Sequence, residues 1–271
     1  MSYRTRFAPS PTGYLHLGHA FSALTAFEAA RAHDGTFILR IEDIDHTRCR
    51  PEFEQAIYQD LAWLGIGWPE PVLRQSQHIE DYQSALDHLK TRGLAYADYR
   101  TRKQQAEAAL SAPQVGDAPF APEETGEPAW RLSLEAARDY LGADYETLSF
   151  YDLHSGQQNA NPSINGDVVL GRKDVGIAYH LAVVIDDARQ NITHVHRGLD
   201  LYDATHTQVL LQALLGLPTP TYAHHPLLLD AEGRRLAKRK GSKALRDYRH
   251  EGLSPADLRD MMAKGRTGNP A

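Results

Sequence analysis

A doubly wound parallel α/β sheet is the fold that this 271-residue sequence predicts, and three observations carry the prediction. An extended stretch, Tyr3 to Ala8, runs into the turn-rich Pro9-Ser10-Pro11-Thr12-Gly13. Apolar residues then recur at helical spacing at Leu17, Phe21, Leu24 and Phe27. After Gly35, the run Thr36-Phe37-Ile38-Leu39-Arg40-Ile41 has the near-continuous apolar character of a strand buried on both faces. Strand, helix and strand within about forty residues form a right-handed βαβ unit, the seed of such a sheet.

The remaining elements follow in order. Helical patterns return after Pro51 (Phe53, Ile57, Leu61, Leu64) and from Ile79 through Tyr82, Leu86 and Leu89. Four prolines among acids and small residues make Ser111 to Ala129 irregular. Strands are expected at Gly166 to Leu170, Ile177 to Ile185 and Ile192 to Arg197, with a helix over Asp203 to Leu215 and a short one near Ala256 to Met262. The core is therefore expected to be split, with residues 1–93 as its first half, 94–165 as an inserted subdomain, 166–249 as its second half and 250–271 as a short tail.

Composition excludes several classes. One cysteine, Cys49, can form neither an internal disulfide nor a cysteine-rich zinc site, and the opening MSYRTRFAPSP shows no charged head followed by an apolar stretch. The expectation is a soluble cytoplasmic protein, away from membranes and monomeric. The net charge of −6 argues against holding nucleic acid by general basicity. Its distribution is uneven: Arg234 to Arg249 carries eight basic residues and one acid, for +7, which leaves −13 on the rest of the chain. Such a segment points either to one anionic partner met at one place or to a solvated basic helix.

The first chemical constellation is Gly13-Tyr14-Leu15-His16-Leu17-Gly18-His19, where a strand gives way to a helix. Unpaired backbone N–H groups and the positive end of the helix dipole favour phosphate there. His16 and His19 lie on one side of the first turn and can donate to phosphate oxygens, and Gly18 lets a flat base approach the backbone. Taken alone the pattern also suits two surface histidines or half a metal site.

Five ordered motifs narrow this. The opening RFAPSPTGYLHLGH resembles that of class I aminoacyl-tRNA synthetases of the glutamyl type, with His16-Leu17-Gly18-His19 as the HIGH motif. Arg40-Ile41-Glu42-Asp43-Ile44-Asp45, Ala178-Tyr179-His180-Leu181-Ala182-Val183-Val184-Ile185-Asp186-Asp187 and His196-Arg197-Gly198-Leu199-Asp200 are similar to further segments of that group. Arg235-Leu236-Ala237-Lys238-Arg239 stands where the KMSKS loop is expected, with Arg235 and Ala237 departing from the pattern.

The resemblance implies a Rossmann-type catalytic core that activates glutamate with ATP and Mg²⁺. His16, His19 and Lys238 are the implied catalytic residues, and ATP would meet these three together with Gly18. Glutamate presents one ammonium and two carboxylates, so the site should offer one acid and two cations: Glu42 for the ammonium, Arg6 and Arg197 as planar forks for carboxylates. Phe7, Ala8, Pro9, Ser10 and Tyr179 complete the implied pocket. Asp43, Asp45, Asp186 and Asp187 stay open between capping, ion pairing and substrate contact.

Two departures sharpen the resemblance. The chain stops about thirty residues past the KMSKS position, where full glutamyl-tRNA synthetases continue into an anticodon-binding region, a pattern similar to the glutamyl-queuosine tRNA(Asp) synthetases. That group implies the anticodon stem-loop of tRNA(Asp) carrying queuosine as the partner. Many of its members also hold a structural zinc through cysteines in the inserted subdomain. Here Asp98 and Arg100 occupy two of those places, so no zinc is expected, and the subdomain should rely on apolar packing of Leu94, Tyr96 and Tyr99.

Overall fold

The structure is a computed structural model that describes residues 2–100, 126–173, 176–228 and 243–264. Lys238, the rest of the KMSKS-like segment and most of the proline-rich stretch lie outside the described residues.

Strand β1 (Arg4–Phe7) leads through the Pro9–Gly13 turn into α1 (Leu17–Ala32). Strand β2 (Thr36–Ile41) returns parallel to it in the register Arg4 to Thr36 through Phe7 to Leu39. Alanines 20, 23, 26 and 30 are buried on α1 beside Leu17, Phe21 and Leu24. Small residues on that face let the helix lie close over the sheet. Gly35 is required where β2 begins, because a Cβ there would sit 2.3 Å from the Tyr3 carbonyl oxygen.

Helix α2 (Pro51–Trp63) has proline in its first turn with Glu52 and Glu54, which suits the positive helix end. The short β3 (Leu73–Arg74) adds parallel to β2, and α3 (Ile79–Thr91) buries Tyr82, Leu86 and Leu89. Then come β4 (Ala95–Asp98), β5 (Ala129–Leu132), α4 (Leu134–Leu141), α5 (Ala143–Glu146), the hairpin β6 (Ser149–Asp152) and β7 (Gly156–Asn159), β8 (Val169–Arg172) and β9 (Gly176–Ile177). The chain continues through α6 (Tyr179–Arg189), β10 (His194–Gly198), α7 (Tyr202–Leu215), β11 (Thr221–His225), α8 (Leu245–His250) and α9 (Pro255–Lys264).

Strands β10, β11 and β6 pair in parallel, with β7 antiparallel at the edge. Strand β10 lies beside β1: Thr193 N donates to the Arg4 carbonyl oxygen (2.9 Å) and Arg4 N to Thr193 Oγ1 (2.8 Å). The order is thus β3-β2-β1-β10-β11-β6-β7, and the chain reverses direction of growth between β1 and β10. The carboxyl ends of strands flanking such a switch point form a crevice.

Three expectations are corrected. The run 177–185 is not a strand: β9 stops at Ile177 and α6 begins at Tyr179. An apolar run buried on most sides carries no period that separates strand from helix, and Leu181, Ala182, Val183 and Val184 are all buried. The boundary at 165/166 does not coincide with the sheets either. Strand β8, expected to reopen the core, joins β4, β5 and β9 in an antiparallel sheet, whereas β6 and β7, from within 94–165, extend the core sheet. The third correction concerns Tyr96, which is 37% exposed and donates its hydroxyl to Asp167 instead of packing in a core.

Leu94 is buried in the apolar core as expected, and Asp98 adds a buried charge beside it. Asp98 accepts from Arg100 Nε (2.8 Å) and Nη2 (2.9 Å) and from Arg131 Nε (2.6 Å), while Arg131 Nη1 reaches the Asp167 carbonyl oxygen (2.7 Å). Burial alone would raise the Asp98 carboxyl; the hydrogen bonds from both arginines outweigh it and hold it well below the ordinary carboxylate range. A depressed folded pKa contributes stability that is complete above the unfolded value, about 3.9, and is lost as pH falls through the folded value. Asp98→Ala is expected to lower stability by about 1–3 kcal/mol at neutral pH. Thermal unfolding of wild type and variant should show the gap closing below about pH 4.

Candidate active site

A cavity of ≈ 570 Å³ opens at the switch point, over the ends of β1, β2 and β10. It is lined by Arg6, Phe7, Ala8, Pro9 and Ser10 from β1 and its turn, by His16, Gly18 and His19 from the start of α1, by Glu42 after β2, by Tyr179 at the start of α6 and by Arg197 at the end of β10. Every sequence-nominated residue that is described therefore faces one space. Sequence reasoning gave no role to His225, Ser22 and Leu201, which also line it.

The histidines are arranged by the backbone. His16 caps α1: its Nδ1 accepts from Gly18 N (3.1 Å), and His19 Nδ1 accepts from His16 N (3.2 Å), forming a reciprocal capping box. Each neutral ring must then carry its proton on Nε2. The two ring centroids are 3.8 Å apart. Amides expected to be unpaired are partly used, since His19 N also bonds the His16 carbonyl oxygen (2.9 Å). A Cβ at Gly18 would come within 3.0 Å of His16 Cε1, so glycine there makes room for the capping ring.

Beneath the cavity lies a buried ion network. Arg40, fully buried, donates from Nη1 to Asp187 (2.8 Å) and Gln190 (3.1 Å) and from Nη2 to Glu42 (3.2 Å), with Asp186 3.8 Å from its Nε. Burial disfavours its charge, but the three carboxylates outweigh that and hold it protonated. Arg6 gives Nε and Nη2 to Asp187 at 3.0 and 3.2 Å, which leaves Nη1 for a ligand. Burial raises the Glu42 carboxyl against the opposing pull of Arg40 and Arg6. An arriving ammonium would favour the charged form of Glu42.

The four open aspartates now have partners. Asp43 accepts from Ser76 N and Oγ; Asp45 accepts from Thr47 and Arg48; Asp186 takes Tyr82 and Gln75; Asp187 pairs Arg6 with Arg40. All four do structural work, two of them directly under the cavity.

Arg197 differs from Arg6. Its Nε donates to His224 Nε2 (3.1 Å), its Nη2 to Thr205 Oγ1 (2.7 Å), and its Nη1 is buried with no protein partner. A buried guanidinium nitrogen beside an open cavity calls for an acceptor, and a carboxylate supplies one.

The basic segment is only partly described. Within it Arg246 stacks over the Tyr14 ring (3.6 Å to the centroid), Arg249 lies 3.6 Å from buried Asp60, and Lys243 pairs with Glu251. These three charges contact the protein itself. Helix α8 also docks on the capping turn, Leu245 N donating to the Leu15 carbonyl oxygen (2.8 Å).

The family model described as tRNA synthetases class I (E and Q), catalytic domain, matches residues 2–268. The chain belongs to this family. Class I tRNA synthetases of this type use ATP, and the doubly wound sheet with its histidine-bearing turn is the catalytic core of the class. Among similar proteins is the glutamyl-Q tRNA(Asp) synthetase of Rhodobacter capsulatus, 47% identical over 95% of this chain and 99% of that protein. Another is glutamate–tRNA ligase 2 of Dinoroseobacter shibae, 38% identical over 98% of this chain and 62% of that one. Among solved structures, a glutamate tRNA ligase from Elizabethkingia meningosepticum in complex with its amino acid aligns with a TM-score of 0.75 at 28% identity, over 97% of this chain. This chain spans 60% of that ligase. Among the described residues no group of three histidine, cysteine or acidic side chains could hold a metal ion, and no helix is long and apolar enough to cross a membrane.

Proposed function

We propose that the chain activates L-glutamate with ATP, without tRNA, and transfers the glutamyl group to the queuosine base at the wobble position of tRNA(Asp). The observation that carries the reading is one cavity lined by an acid (Glu42), by two guanidiniums each with a nitrogen left for a ligand (Arg6 and Arg197), and by the two imidazoles of His16 and His19. Near full-length similarity to a glutamyl-Q tRNA(Asp) synthetase supports the choice of acceptor.

In the first step an oxygen of the glutamate α-carboxylate attacks the α-phosphorus of ATP, taken as its magnesium complex. The bond from that phosphorus to the bridging oxygen breaks, and pyrophosphate leaves. His16 and His19 donate to phosphate oxygens as charge builds, and Lys238 neutralises the departing pyrophosphate. Glu42 holds the ammonium, Arg6 and Arg197 hold carboxylates, and Ser10 and Tyr179 complete the walls. No side chain acts as nucleophile, because positioning and electrostatics suffice. In the second step a hydroxyl of the queuosine cyclopentene ring attacks the glutamyl carbonyl carbon, forming an ester and releasing AMP. Activity as a monomer in the cytoplasm, where ATP and tRNA are met together, is part of this reading.

Glutamate-dependent exchange of pyrophosphate into ATP, with tRNA omitted, tests the first step. Wild type is expected to exchange. His19→Ala and Lys238→Ala are each expected to lower the maximal rate by about 10²–10³-fold, because each removes a donor aimed at developing charge. Exchange within about threefold of wild type in both variants would overturn these roles.

A further inference from the structure

Outside the cavity, behind Arg197, lies a set of buried polar groups that the proposed steps do not use. Asp152 at the end of β6 and His224 on β11 are each about 1% exposed in their side chains. Asp152 Oδ2 accepts from His224 Nδ1 (2.7 Å) and from His224 N (3.1 Å), and its Oδ1 accepts the backbone N–H groups of His154 (2.9 Å) and Ser155 (3.1 Å). The carboxylate is therefore fully occupied by donors. On the other side of the ring, His224 Nε2 meets Arg197 Nε at 3.1 Å and Thr205 Oγ1 at 3.1 Å.

These contacts leave one arrangement of protons. Arg197 can only donate and ionised Asp152 can only accept, so His224 must carry its proton on Nδ1 and accept at Nε2. Thr205 then accepts from Arg197 Nη2 (2.7 Å), and its own proton faces His224 Nε2 (3.1 Å) and the Leu201 carbonyl oxygen (3.5 Å). The Arg197 guanidinium also lies over the Tyr222 ring, 5.1 Å from its centroid, and Tyr222 stacks nearly parallel on His224. One edge and one face of the guanidinium are thereby fixed, and Nη1 is the single nitrogen left without a protein partner.

We infer that His224, locked by Asp152 as the Nδ1–H tautomer, is a positioning residue for Arg197: it holds the guanidinium so that Nη1 meets a substrate carboxylate in the cavity. The inference rests on the reading of Arg197 as a carboxylate-binding side chain. Protonated His224 would place an N–H against the Arg197 N–H, and burial together with Arg197 pushes its pKa down to about 4, in keeping with a neutral ring at neutral pH. Burial works against the Asp152 charge, yet the hydrogen bonds from His224 and the backbone amides hold its pKa below the ordinary value.

Asp152→Asn is the sharpest test because its amide cannot choose freely. The two backbone N–H groups of His154 and Ser155 outnumber the single backbone N–H of His224 and favour an oxygen at the Oδ1 place, which puts the NH₂ group against the His224 ring. The ring must then accept at Nδ1 and present Nε2–H to Arg197, the wrong tautomer for the pair. In the full chain, with ¹⁵N-labelled histidine and His224 assigned through its backbone, wild type is expected to show Nδ1–H and Asp152→Asn to show Nε2–H. Asp152→Asn and His224→Leu should raise the KM for glutamate in pyrophosphate exchange by about 10–100-fold while the KM for ATP stays within about twofold. His224→Gln, whose amide oxygen can accept near the Nε2 place, should recover part of the loss seen with leucine.

A charged or Nε2–H ring in wild type at neutral pH overturns the inference even if every variant fails to fold. So do variants with an unchanged glutamate KM, or with ATP and glutamate KM values raised together. Wild-type protein without glutamate-dependent exchange would instead overturn the functional reading, whereas exchange with the wrong tautomer overturns the positioning pair alone.

Discussion

Arg197→Ala is expected to lower kcat/KM for glutamate by about 10²–10³-fold, through loss of roughly 3–4 kcal/mol of charge-assisted hydrogen bonding in a buried setting. The effect is large because Nη1 is already buried and has no protein acceptor, so a carboxylate that arrives gains the whole interaction. Arg197→Lys keeps the charge but not the fork. A lysine cannot bond His224, Thr205 and a ligand from three fixed directions, so a loss nearer to that of alanine than to wild type is expected. Steady-state exchange at varied glutamate, with ATP saturating, reads both. Wild-type kcat/KM in Arg197→Ala would remove Arg197 from substrate binding.

The second large effect falls on stability. Arg40→Met is expected to cost about 3–5 kcal/mol, because it removes the cation shared by Glu42, Asp186 and Asp187 while leaving those carboxylates buried. For a chain of this size that corresponds to a fall of about 6–20 °C in Tm. The pH dependence separates this from simple loss of packing. Without Arg40 the carboxylates have folded pKa values raised above their unfolded ones, so the folded variant takes up protons and gains stability as pH falls. The gap from wild type should therefore narrow between pH 7 and about 5, whereas a packing defect would leave it constant. Thermal unfolding at several pH values decides the matter.

What could be read in the sequence was local. Thr36 to Ile41 announces a buried parallel strand because its apolar run is short and bounded by glycine on one side and acids on the other. The strand, turn and helix before it place His16, Gly18 and His19 together by covalent proximity alone. The residues proposed to bind carboxylates are legible as residue types at motif positions. Their support is not: Arg40 and Asp187 are 147 residues apart, Asp152 and His224 are 72, and no periodicity marks a buried polar residue whose partner the fold supplies. Helix α6 resembles a strand in sequence for a related reason, since a segment buried on nearly every side has lost the polar stripe that reveals helical period. The sheet that strand β8 joins is not legible in sequence, because strand propensity says nothing about the pairing partner.

The central claim is the destination of the glutamyl group. It is tested most directly by incubating the chain with ATP and labelled glutamate in the presence of queuosine-containing tRNA(Asp), queuosine-lacking tRNA(Asp) or tRNA(Glu), and following the label. The account predicts label on queuosine-containing tRNA(Asp) alone. Label on tRNA(Glu), or on tRNA(Asp) irrespective of queuosine, would contradict it.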